Sequence, residues 1–155
     1  EGSNNNTLSV SFSLFVPLLA ALPSRITIQG LSGAAAGSGA IPLRSTTSDF
    51  HTSFGNEGIW DAANGALVLT VVRDAVAQHV YSFSFQIQNP PSGQASPAIS
   101  IRSTGGVDST SYPMGTGDGN AAVLLVNEFL VKNVGQSTVS QSAVNTLVVT
   151  LSTRA

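Results

Sequence analysis

From Tyr81 to Gln88 the chain alternates strictly: Tyr81, Phe83, Phe85 and Ile87 are apolar, while Ser82, Ser84, Gln86 and Gln88 between them are polar. A period of two places the first set on one face of an extended strand and the second on the other. Asn89-Pro90-Pro91 ends the run, because proline has no N–H to give a ladder. The same period governs most of the chain. Leu8, Val10, Phe12 and Leu14 alternate with Ser9, Ser11 and Ser13, and Leu67, Leu69 and Val71 alternate with Val68, Thr70 and Val72. "RITIQGL" (residues 25–31), "IPLRS" and "PAISIRS" read as shorter strands. Asn64-Gly65, inside "GIWDAANGALVLTVV", predicts a hairpin whose two central positions take positive φ.

The remaining pieces are less regular. "SLFVPLLAALPS" (residues 13–24) has the apolarity of a signal-peptide core, but no basic segment precedes it and Pro17 interrupts it. It also falls short of the about 20 apolar residues that a membrane span needs. It reads as a strand end and its connection, in a chain that begins after any targeting segment. "SGAAAGSGA" and residues 104–120 are small-residue, Gly-rich loops. Residues 121–133 admit two readings: a helix capped by Asp118 or Asn120, or a bulged strand, which the valines and the flanking β pattern favour. Eight or nine strands with short connections predict an all-β, antiparallel β-sandwich, immunoglobulin-like or jelly-roll in topology.

One strand occurs twice. "NNTLSVSFSL" opens at Asn5 and "VNTLVVTLST" at Val144, so that Asn6 and Asn145 start equivalent copies 139 residues apart (145 − 6). Leu8 falls on Leu147, Val10 on Val149 and Phe12 on Leu151, reproducing one face. Such a period suggests a tandem array. It divides the chain into a sandwich domain (1–134), a polar linker (135–143) and a terminal strand (144–155) donated to a neighbouring unit. Burying Leu147, Val149 and Leu151 would contribute about 5–9 kcal/mol before entropy. Because one end donates and the other accepts, the contact propagates head to tail.

Residues 6–12, 25–33, 83–90 and 135–151 resemble a tandem β-sandwich repeat of very large, uncharacterised extracellular proteins of aquatic microbes, algae included. In those repeats an "NTLTVTL"-like strand leads to an "ITISGL"-like strand, and a "GQS"-like linker precedes the next unit. The chain is also similar to subunits of uncharacterised extracellular fibrils from environmental water. It departs from the repeat at "LFVPLLAALPS", where a more polar connection is usual. The resemblance implies architecture and an extracellular location, and says nothing of chemistry.

Composition narrows the partners. Charged residues make up 9 %, the net charge is −2, and six Lys and Arg are too few for a phosphate-binding footprint, which excludes nucleic acid. An apolar fraction of 42 % argues against disorder. Solubility then rests on hydroxyls, amides or attached sugars, as in cell-surface modules. The chain holds no cysteine, so disulfides do not indicate its compartment. Asn5-Asn6-Thr7 is the single N-glycosylation sequon and predicts covalent glycan on Asn5, with O-linked sugar on loop Ser and Thr as a further option.

Catalytic patterns are sparse. Asp49 and His51 with the many serines could form a Ser/His/Asp set, but no Gly-x-Ser-x-Gly elbow accompanies them and the acidic residues are scattered. His79 reads as a surface residue. Asp108, Asp118 and Asn120 offer oxygen ligands for Ca²⁺ without the terminal Glu of a full loop. Trp60, with Tyr81 or Tyr112, either lines a sugar-binding face or belongs to the core. The expectation is a non-enzymatic, cofactor-free structural subunit of an extracellular filament or surface array, partnered by copies of itself. A carbohydrate-binding or adhesive module is the alternative, and a viral jelly-roll coat protein the third.

Overall fold

The computed structural model describes residues 6–45, 47–115, 122–126 and 129–153. In chain order its elements are β1 (Asn6–Ser13), β2 (Arg25–Gln29), β3 (Gly39–Pro42), α1 (Ser48–Phe54), β4 (Glu57–Asp61), β5 (Ala66–Thr70), β6 (Val80–Ile87), β7 (Ser100–Thr104), β8 (Tyr112–Pro113), β9 (Phe129–Gln136) and β10 (Leu147–Thr153). The fold is all-β and sandwich-like, with antiparallel pairing throughout. A six-stranded sheet runs β3-β4-β5-β2-β7-β8, a smaller sheet pairs β1 with β6, and β9 and β10 form a separate ribbon.

Alternation decides which face each strand turns inward. Leu8 and Val10 of β1 and Tyr81, Phe83, Phe85 and Ile87 of β6 are buried, as are Ile26, Ile28, Leu67, Leu69 and Trp60 of the large sheet. The two sheets share one apolar core. Each fully buried side chain of this size contributes about 1.5–3 kcal/mol.

Helix α1 takes in Asp49 and His51, in a stretch without strand periodicity. Phe50 and Phe54 stand four residues apart and so occupy one helical face, which is buried. The Phe50 ring stacks on Phe83 at 4.7 Å and the Phe54 ring meets Tyr81 edge-on at 5.1 Å, so aromatic packing holds a helix of only seven residues. Gly55 ends it at φ +76°, donating its N–H to the His51 carbonyl.

The β4–β5 hairpin forms as expected, but with a different turn. Asp61 pairs with Ala66, leaving a four-residue loop in which Gly65 has positive φ (+55°) and Asn64 does not. The Asp61 carboxylate replaces the missing turn geometry: it accepts from the N–H of Ala63 and Asn64 and from Asn64 Nδ2. Of the stretch read as a helix or a bulged strand, residues from Phe129 on are strand in β9, whereas residues 122–126 are neither helix nor strand ladder. Leu124, buried with φ +56°, is fixed by Gln94 Nε2, which donates to its carbonyl.

Candidate functional site

The two copies of the repeated strand meet different fates. In β1, Leu8 pairs with Phe85, Val10 with Phe83 and Phe12 with Tyr81, so this copy is built into the domain. In β10, Leu147 pairs with Gln136, Val149 with Val134 and Leu151 with Lys132. Its partner is thus β9, immediately upstream. Gly135 and Gln136 complete β9 rather than open a linker, and residues 137–146 close the hairpin. Asn145 secures that loop: its Oδ1 accepts from Ser137 N, Ser137 Oγ and Thr138 N, and its Nδ2 donates to Gln136 Oε1. An Asx side chain supplies the turn that a long polar loop otherwise lacks.

The ribbon's described side chains are little buried. Val134 is 73 % exposed, Leu147 66 %, and Val148 and Val149 59 % each, so apolar side chains face solvent on both of its faces. A lone two-stranded ribbon is marginal in water, and an apolar exposed one seeks a partner.

One margin of β6 is filled by β1 of the same chain through eight consecutive pairs. The other margin of β6 is bridged at its middle, where Arg44 and Ser84 exchange backbone hydrogen bonds of 2.8 and 2.7 Å, and Ser45 Oγ donates to the Ser82 carbonyl. The outer edge of β1 is different. Among the described residues β6 is its one ladder partner. A trough of about 630 Å³ runs along that edge, lined by Ile28, Leu31, Phe85, Ile99, Met114 and Val123 besides β1 itself. Two strands facing six leave this gap. Periodicity reveals each strand's inward face but not which edge stays open, so the trough was not foreseen.

The other candidates resolve individually. His51 cannot act as a general base toward serine, because Ser45 N–H donates to its Nε2 and its Nδ1 lies 3.1 Å from the Gly55 carbonyl. Both ring nitrogens hold the backbone, with the proton on Nδ1. Asp49 instead pairs with His79 Nε2 at 3.3 Å. Trp60 is 1 % exposed and donates to the Ala36 carbonyl, so it cannot face a sugar, and Tyr81 is buried as well. Tyr112 is exposed on β8. Asp108 Oδ1 accepts from Gly105 N and so caps a turn, and no group of three potential metal ligands occurs among the described residues. Asn5, Asp118 and Asn120 lie outside the described residues, whereas Asn6 hydrogen-bonds Asn89 and Thr7 is exposed. No helix is long and apolar enough to cross a membrane among the described residues. No family model, curated protein or solved structure matches the chain significantly.

Proposed function

We propose that the chain is a structural subunit or repeat unit of an extracellular filament or surface array, joined head to tail by strand donation. The β9–β10 ribbon of one copy is added to the outer edge of β1 in the next. The observation that carries this reading is the exposure of Leu147 and Val149 in a strand whose twin, β1, buries the matching Leu8 and Val10. Burying Leu147 and Val149 contributes about 3–6 kcal/mol before ordering costs, and each ladder hydrogen bond adds about 0.5–1.5 kcal/mol. Donor and acceptor lie on different surfaces, so the contact is heterologous and propagates, giving a helical assembly. The low charge and the Asn5 sequon support an extracellular, glycosylated setting.

Deleting residues 144–155 tests the joint. The full chain is expected to form filaments with an axial repeat of one domain, and the truncated chain to remain a folded monomer. A full chain that stays monomeric at every concentration, with a truncated chain that no longer folds, would assign the ribbon to its own domain. For the glycan, intact-mass measurement of native protein should exceed the bare 15.8 kDa.

A further inference from the structure

The large sheet has a second surface, away from the core. Pairing places Arg25 opposite Thr104 and Thr70, Thr27 opposite Arg102 and Val68, and Gln29 opposite Ser100 and Ala66. These residues alternate with buried Ile26, Ile28, Leu67 and Leu69, so they share the outward face. All of them but Thr70 line a shallow trough of about 710 Å³.

Arg25 and Arg102 are diagonal neighbours on adjacent strands, a relationship that sets Cβ atoms about 7–8 Å apart. Two of the chain's six basic residues therefore occupy one patch, though 77 positions (102 − 25) separate them in sequence. Both are exposed, and neither has an ion pair or side-chain hydrogen bond among the described residues. Beside them runs a polar row. Gln29 Nε2 donates to Ser111 Oγ, and Ser111 Oγ donates to Ser100 Oγ. That relay leaves the Ser100 hydroxyl proton and the Gln29 carbonyl oxygen without a partner among the described residues. At the opposite margin Asp61 of β4 sits two strands from Arg25 and three from Arg102, about 10 and 14 Å at the usual strand spacing.

We propose that this face binds an acidic polysaccharide, with Arg25 and Arg102 gripping the carboxylate or sulfate of one residue while Thr27, Gln29 and Ser100 hydrogen-bond neighbouring hydroxyls. Guanidinium forks match both anions bidentately, which a lysine ammonium does not. No aromatic ring lines the trough, so neutral sugar rings lack a stacking platform and the anion leads recognition. Two cations on a chain of net charge −2 suit isolated acidic groups along a sugar chain rather than the dense phosphates of a nucleic acid. The Asp61 carboxylate repels an anion at its own margin on β4, so the acidic sugar lies over β2 and β7 and the chain extends away from β4. This site is independent of the β1 edge.

The test is titration of the purified full chain, by calorimetry and by amide chemical shifts, with three probes: an oligogalacturonate, a sulfated oligosaccharide and a neutral dextran oligomer. Saturable binding of the oligogalacturonate or the sulfated probe, but not of dextran, is expected, and the two acidic arms tell which anion is preferred. Arg25→Gln and Arg102→Gln should each weaken binding about tenfold, as loss of a charged hydrogen-bonding group does. Arg102→Lys should recover only part of the loss. Arg44→Gln, on the far margin of β6, is the control and should bind normally. Absence of binding by both acidic probes, undiminished binding in the Arg25→Gln/Arg102→Gln double variant, or an equal loss in Arg44→Gln would each overturn the assignment.

Discussion

Val10 and Val149 hold equivalent positions in two copies of one strand, yet Val10 is 9 % exposed and Val149 59 % exposed. The difference lies in what each strand is laid upon. Val10 pairs with Phe83 over the aromatic core, whereas Val149 pairs with Val134 in a ribbon with solvent on both sides. A single substitution therefore separates assembly from folding. Val149→Asp should leave the melting temperature of the monomer unchanged and weaken association at least about tenfold, from loss of about 1.5–3 kcal/mol of burial. Val10→Asp should destabilise the domain itself by several kcal/mol, since a charge would enter the core unpaired. Sedimentation and thermal melts of the two variants side by side check both outcomes.

Asn145→Ala removes the three bonds accepted by one oxygen in the ribbon loop. Hydrogen exchange should accelerate in β9 and β10 while β2, β5 and β6 keep their protection. Equal acceleration throughout would mean that ribbon and body unfold as one unit.

Gly30 closes β2 at φ +92°, and a Cβ there would fall on the Ala98 carbonyl oxygen. Backbone, not a yielding side chain, blocks the space. Gly30→Ala should cost more than about 1 kcal/mol in chemical denaturation, from left-handed φ and the clash together.

Hydrogen bonds from the Asn64 side chain and N–H, opposed by burial and joined by the Ala63 N–H, hold the Asp61 carboxyl below its usual value. A carboxylate with a depressed folded pKa stabilises above its unfolded pKa, and that contribution is lost as pH falls through the lower folded value. The β4–β5 turn should consequently loosen only in acid, below the usual Asp range. Asp61→Asn should flatten that part of the stability profile, which thermal melts from neutral pH into acid would record.

How much of this was readable beforehand depended on periodicity. Tyr81, Phe83, Phe85 and Ile87 face inward as their alternation required, and Leu67 and Leu69 do likewise. Helix α1 was missed because seven residues bounded by Ser and Thr give no sustained period, and the one signal was Phe50 and Phe54 four apart. Strand β8 has only two residues, inside a Gly-rich stretch. The β9–β10 pairing was hidden by a polar loop without a two-residue turn signature, closed instead by the Asn145 side chain. Arg25 and Arg102 meet only because β2 and β7 are neighbours, a tertiary fact that no local pattern encodes.

The backbone exchange between Arg44 and Ser84 has a consequence for growth under the proposed joint. By bridging one margin of the smaller sheet at the middle of β6 it leaves no uninterrupted edge there, so under that joint a subunit takes a single predecessor along β1 and offers a single ribbon to its successor. Chains built this way stay unbranched and have two chemically unlike ends. A copy lacking residues 144–155 can still receive a ribbon but passes none on, which makes it a terminator for one end only. Mixed into full-length protein, it should stop growth at that end while the opposite end continues to elongate.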